Sequence, residues 1–403
     1  MQEKNVTEIL SELVKIKSIS SDKNHTVDVK KSAEFVEKLF LELGLQTKIA
    51  TSGNSRPAVL AQTEINPDRK TVLLYAHHDV QPVGDINKWE TDPFNPEIIN
   101  GRLFGRGSGD NKAGVVIHHE VVKELMKDLP VNIKIFIEGE EEIGSPCMAE
   151  FLDEFNKELE ADVIVIADSG NIRVGTPTVT TSLRGLVDGF IEVDQPMRPV
   201  HSGVGGGVVP DAFMVLSKII ASFHNEKGEL QIEGLTSSDM DVLELKEEEI
   251  KKIFGSEDIN LFELDSISKR LWLEPALSIL AIDAPSTKEA VNLVIPNAKA
   301  KVSLRLPPTE DPEHAMKMLE EHIMKNVPWG ANVRFIPEAK GSGIVADPNK
   351  EFTKKLVQNF EEVFNTDAAY MGVGGSIPFA NDFVEKFPNA ELVLIGAADE
   401  EMG

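Results

Sequence analysis

Four short segments carry the side chains best suited to chemistry: His77-His78-Asp79, Asp110-Asn111-Lys112, Glu140-Glu141-Glu142 and Asp168. Each closes an apolar or glycine-rich stretch, so separate loops can bring imidazole and carboxylate donors to one point, as a hydrolytic metal centre requires. His77 and Asp79 stand two apart at a strand's end and point the same way in extended backbone. That spacing suits a metal-bound imidazole held through its second nitrogen by a carboxylate; Asp79 can also hold it through water. His78 points to the opposite face, where packing is expected. Asp110 follows Gly105-Arg106-Gly107-Ser108-Gly109 at the start of a helix, so it reads both as an N-cap and as a ligand. The glycine spacing is not that of a dinucleotide fingerprint and no Gly-Lys-Ser/Thr follows, which weakens a phosphate-binding reading. Among Glu140 to Glu142, one carboxylate can bind metal while its neighbour takes a proton from water. Asp168 ends Val163-Ile164-Val165-Ile166-Ala167. All nine histidines lie at or before His322, so the rest of the chain supplies no histidine ligand.

The elements that must position these residues alternate between strand and helix periods. Pro57 to Ala61, Thr71 to Ala76, Val131 to Ile137 and Asp162 to Ala167 are apolar runs of the kind buried on both faces in an α/β sheet. A helix is predicted from about Lys112 to Lys127. Ligands of open α/β sheets bind at the carboxyl edge, where these segments fall. After Asp168 the pattern becomes α+β. Thr178 to Ser182 and Leu186 to Val193 alternate like strands with one exposed face. Asp211 to Phe223 and His314 to Lys325 are helical, and Ser237 to Asp265 is acidic helix and loop. From about Gly341 the first pattern returns, with a helix from Asn349 to Phe364 and a strand from Ala390 to Ile395 that can rejoin the first sheet. The expected architecture is α/β, a mixed sheet flanked by helices over 1–181 and 341–403, with an inserted α+β lid and dimerisation domain over 182–340.

In the inserted part, His201 lies in a glycine-rich loop and can donate to a developing oxyanion. Arg305, inside the apolar run Val302 to Leu306, can clamp a substrate carboxylate. The 41 basic and 67 acidic residues give a net charge of −26, which disfavours nucleic acid and anionic membranes as partners. The lone Cys147 excludes an internal disulfide and fits a reducing cytoplasm. No signal-peptide block and no membrane-length apolar run is present.

Taken together, the segments resemble the co-catalytic zinc metallopeptidases that include aminoacylase, carboxypeptidase G and the carnosinase-like dipeptidases. The densest matches are Ala76 to Pro82, Gly105 to Lys112, Glu138 to Ser145 and His201-Ser202-Gly203. Ser182 to Gly185, Val294-Ile295-Pro296, Ser303 to Leu306 and Gly374 to Pro378 are most similar to the carnosinase-like branch. The resemblance implies a zinc aminopeptidase-like catalytic domain and two zinc ions, with Mn2+ or Co2+ as alternatives. It implies Asp110 as the bridging carboxylate, His77 and Asp168 as ligands of one ion and Glu142 as a ligand of the other. Glu141 is implied as general base and Asp79 as the carboxylate that holds His77. His201 is implied to reach the active site of a second copy in a homodimer. Arg305, Gly375 and Ser376 are implied to hold the carboxylate of a small peptide substrate.

The family pattern ends in a further histidine beyond the strand matching Leu392 to Gly396, whereas this chain stops at Gly403. The resemblance therefore implies a shortened chain, with one zinc site keeping His77, Asp110 and Asp168 and the other Asp110 and Glu142. Asp382 and Glu400 are the nearby carboxylates that could substitute. The expected function is zinc-dependent hydrolysis of dipeptides or short peptides. The alternatives are an N-acyl-amino-acid deacylase and a catalytically impaired metal-binding dimer scaffold.

Overall fold

Apolar strands that end in polar loops build the frame of the site. The computed structural model describes residues 5–375 and 378–399 and divides into two units, 1–181 with 346–371 and 377–403, and 182–345 with 372–376. In the first unit a mixed sheet runs in the order Gln46–Ala50, Ala58–Gln62, Asn132–Glu138, Thr71–His77, Val163–Ala167, Glu391–Ile395, Thr178–Leu183. Thr71–His77 pairs in parallel with both Asn132–Glu138 and Val163–Ala167, and Glu391–Ile395 adds in parallel to the latter. These central strands are nearly free of exposed positions, as expected of parallel strands covered by helices on both faces. Their carboxyl ends therefore fall on one edge, which is where His77, the Glu140–Glu142 segment and Asp168 emerge.

The helix Lys112–Leu125 buries Val115, Val116, His118, His119 and Val122. Gly114 permits its close approach to the sheet: a Cβ there would lie 2.7 Å from the carbonyl oxygen of Ala167. The helix start is thus brought beside the end of the Val163–Ala167 strand, and Asp110 beside Asp168. The strand Thr178–Leu183 is buried at all six positions instead of alternating. Its polar threonines fooled the pattern, because a threonine methyl packs in an interior strand as readily as on a surface.

The second unit holds a four-stranded antiparallel sheet in the order Ala276–Asp283, Asn297–Leu306, Gly185–Asp194, Val333–Gly341. Val187, Ile191 and Val193 on one face join Val215, Leu216 and Ile219 of Ala212–Ala221 and Leu319 and Ile323 of Pro312–Lys325 in one core. The acidic stretch contains the short helix Glu247–Ile253. Among the described residues no helix is long and apolar enough to cross a membrane.

Candidate metal centre

His77 is the last residue of its strand and fully buried, so its ring is fixed by the sheet. Its Nε2 faces three carboxylates: Asp110 Oδ1 at 3.0 Å, Asp168 Oδ1 at 3.4 Å and Glu141 Oε2 at 3.8 Å. Its Nδ1 lies 3.1 Å from the carbonyl of Asp79 and 3.3 Å from Asp79 Oδ1. A proton held on Nδ1 by Asp79 leaves the Nε2 lone pair free for a metal ion. Asp79 is itself fully buried and does a second job, accepting the backbone N–H of Glu141 at 3.2 Å and of Glu142 at 3.1 Å. One carboxylate thus orients the imidazole and fixes the turn that carries both glutamates.

The helix begins one residue later than the N-cap reading of Asp110 requires. Asn111 occupies the N-cap position without a side-chain bond, and the Asp110–Asn111 peptide is cis. Both oxygens of Asp110 are therefore free of capping, and its side chain is half exposed. His78 points away from this cluster, with Nε2 2.9 Å from the carbonyl of Pro57. Glu142 Oε1 accepts the N–H of Gln81 at 3.2 Å.

Five carboxylates around one imidazole carry an excess of negative charge. Burial pushes the Glu141 carboxyl up to about 8, with Asp168, Glu142 and Asp79 adding to the rise against the pull of His77. Burial likewise raises Glu142 to about 7, helped by Asp110 and Asp79, and raises Asp168. Burial opposes charge on His77, yet Asp168, Asp110 and Asp79 raise its pKa well above the ordinary value. The donor atoms of His77, Asp110 and Asp168 lie within 4.8 Å of one another. Imidazole and carboxylate donors at this separation suit a divalent cation, whose charge would offset the repulsion.

The remaining sequence candidates lie elsewhere in the chain. His201 is exposed at the end of the short strand Val200–His201, and its Nδ1 accepts the N–H of Gly203 at 3.1 Å. Arg305 is half-buried in Asn297–Leu306, opposite Ala276 and Leu186. Gly375 is exposed, and Ser376 and Glu400 lie outside the described residues. Asp382 sits on the helix Pro378–Lys386, its carboxyl raised by burial. Sequence reasoning gave no role to Lys112, which is fully buried and donates from Nζ to the carbonyls of Leu13 at 3.0 Å and Ile16 at 2.7 Å. It ties the end of the helix Val6–Val14 and the residues just after it to the start of the Asp110 helix. It also missed Tyr75, whose hydroxyl donates to the buried Glu138 carboxyl at 2.6 Å. Neither residue carries a spacing signal, since their partners are tens of residues away.

A cluster of imidazole and carboxylates at the carboxyl edge of an α/β sheet, with a further glutamate beside it, offers the donors that a metal-dependent hydrolase requires. The chain belongs to Peptidase family M20/M25/M40, whose sequence model matches residues 73–402. It is similar to the cysteinylglycine-S-conjugate dipeptidase of Corynebacterium striatum, at 32% identity over 399 residues that cover 97% of this chain and 88% of the relative. Human carnosine dipeptidase 1 shares the fold with a TM-score of 0.78 at 25% identity, over 97% of this chain and 88% of that one. An M20 family metallo-carboxypeptidase, Sso-CP2 from Sulfolobus solfataricus, superposes with a TM-score of 0.79 at 26% identity, over 98% and 91% of the two chains. These relatives support the carnosinase-like dipeptidase branch.

Proposed function

We propose that the chain is a zinc-dependent dipeptidase acting on dipeptides or short peptides through an activated water. The carrying observation is the placement of Glu141 Oε2 3.8 Å from His77 Nε2, beside the convergent donors of His77, Asp110 and Asp168. In this reading His77, Asp110 and Asp168 hold one ion, and Asp110 and Glu142 contribute to a second. When bound, the ions supply Lewis acidity toward the scissile carbonyl and acidify water. Glu141 takes the proton from the attacking water and returns it to the leaving amine. Asp79 keeps the Nδ1 proton of His77 in place and, through the two backbone N–H groups it accepts, keeps Glu141 at its post.

The substrate-side roles of His201, Arg305, Gly375 and Ser376, and a homodimer in which His201 serves a second copy, rest on the resemblance alone. The lone Cys147 supports a cytoplasmic setting. A substrate panel tests the reading: the zinc-loaded protein should cleave dipeptides with a free α-amino group and leave N-acyl amino acids untouched. The opposite preference would make it a deacylase. Absence of turnover at saturating zinc would leave a metal-binding scaffold.

A further inference from the structure

The three consecutive glutamates face three different tasks. Glu141 and Glu142 ride on a single short turn, Glu141–Ile143, closed by Gly144 at φ +84°. One such turn has too few internal hydrogen bonds to hold two repelling carboxylates in place by itself. Glu140 is buried, with 5% of its surface exposed, and both of its oxygens are taken by backbone donors. Oε2 accepts the N–H of Arg56 at 2.8 Å and Oε1 accepts the N–H of Cys147 at 3.1 Å. Its carbonyl also accepts from Ile143 at 3.3 Å and Ser145 at 3.1 Å. The Arg56 anchor is itself tied down, since its guanidinium donates from Nε at 3.3 Å and Nη2 at 3.0 Å to the carbonyl of Ser20. Asp79 grips the turn through the amides of Glu141 and Glu142, and Glu140 grips it through chain on both sides, one segment before the strand and one after the turn.

We propose that Glu140 is a positioning residue for the peptide hydrolysis: by bridging the backbone N–H groups of Arg56 and Cys147 it fixes the turn from which Glu141 and Glu142 project. This rests on the reading of Glu141 as the base. The task requires a carboxylate. A glutamine of the same length offers one acceptor oxygen and turns its amide hydrogens toward an N–H donor, and charge-assisted bonds to amides are about twice as strong as neutral ones.

The test compares wild type with Glu140→Gln and Glu140→Met, which keeps the length and offers only a weakly accepting sulfur. Dipeptide hydrolysis is measured per metal-loaded site, with backbone amide exchange of the chelated proteins. The expected result for Glu140→Gln is a kcat lower by about ten- to hundredfold with KM within about twofold, because a misplacement near 1 Å costs about a hundredfold. The ion held by His77, Asp110 and Asp168 should be retained, while the second, which Glu142 helps to hold, should bind more weakly. Amide exchange in the 140–148 segment should accelerate about tenfold or more with the central strands unaffected, and Glu140→Met should exceed Glu140→Gln in both effects. An unchanged kcat per loaded site overturns the proposal, as does unchanged exchange in the segment. A loss of protection spread evenly over the first unit overturns it too, since that marks a general packing role. If the wild type cleaves no peptide, the peptidase reading fails, and the exchange data alone then decide whether Glu140 staples the turn.

Discussion

Replacing Glu141 by glutamine separates catalysis from metal binding within one side chain. The variant keeps the length and much of the volume, so the backbone N–H bond to Asp79 at 3.2 Å survives. It loses the only function that needs a free carboxylate, proton transfer, which is worth about a hundred- to ten-thousandfold in rate. Steady-state hydrolysis of a dipeptide should fall by that factor, about 3–5 kcal/mol in barrier. Zinc content should be unchanged, because His77, Asp110 and Asp168 converge without Glu141. The chelated protein offers a second reading of the same change. Burial, followed by the neighbouring charges of Asp168, Glu142 and Asp79, raises Glu141 from 4.5 to about 8. A raised carboxyl weakens the fold as it ionises: the penalty is absent below about pH 4.5, grows as pH rises, and is complete above about pH 8. The gap corresponds to up to about 5 kcal/mol. Chelated Glu141→Gln should therefore melt higher than chelated wild type at pH 8, and the two should converge near pH 4. Turnover within tenfold of wild type would refute the assignment of Glu141 as base, and loss of zinc would make it a ligand instead.

Chelation should abolish hydrolysis and lower the melting temperature near pH 8, and added zinc should restore both, since an ion bound only by the folded state stabilises it by mass action. Differential scanning calorimetry with and without chelator reads this directly. Gly114→Ala should lower both melting temperature and metal affinity, because its Cβ would meet Asn111 Oδ1 and the Ala167 carbonyl at 2.2 and 2.7 Å, pushing the helix away from the strand that carries Asp168. Leu304→Ala, in the fully buried core of the second unit, should cost about 2–5 kcal/mol in urea unfolding. Glu310 accepts from the N–H and hydroxyl of Thr236 and pairs with His314 Nδ1 at 2.7 Å, and these bonds hold its pKa below the ordinary value against the opposing effect of burial. Its contribution is present above about pH 4.5 and lost as pH falls through the lower folded value, so Glu310→Gln should flatten the acid limb of the stability curve.

The sequence by itself determined where the donors emerge. A parallel strand covered on both faces must be apolar along its length, so Thr71 to Ala76, Val131 to Ile137 and Val163 to Ala167 are legible as strands, and the polar residues that end them are legible as the edge of the sheet. His77, the Glu140–Glu142 segment and Asp168 are visible for that reason, and Asp110 because its glycine loop precedes a helix; which of the three glutamates does what is implied only by the family resemblance. Only the tertiary structure decided how these ends meet. The approach of the Asp110 helix depends on what Gly114 touches, and that contact lies in a strand more than 50 residues away. The double role of Asp79 depends on the parallel register that sets His77 opposite Glu138. The buried staples of Lys112 and Glu140 bond to backbone groups, which have no residue type and therefore leave no trace in a sequence. Periodicity records which face of an element is buried; it holds no information about which distant carbonyl or amide will lie within hydrogen-bond distance, because that is set by the packing of whole elements.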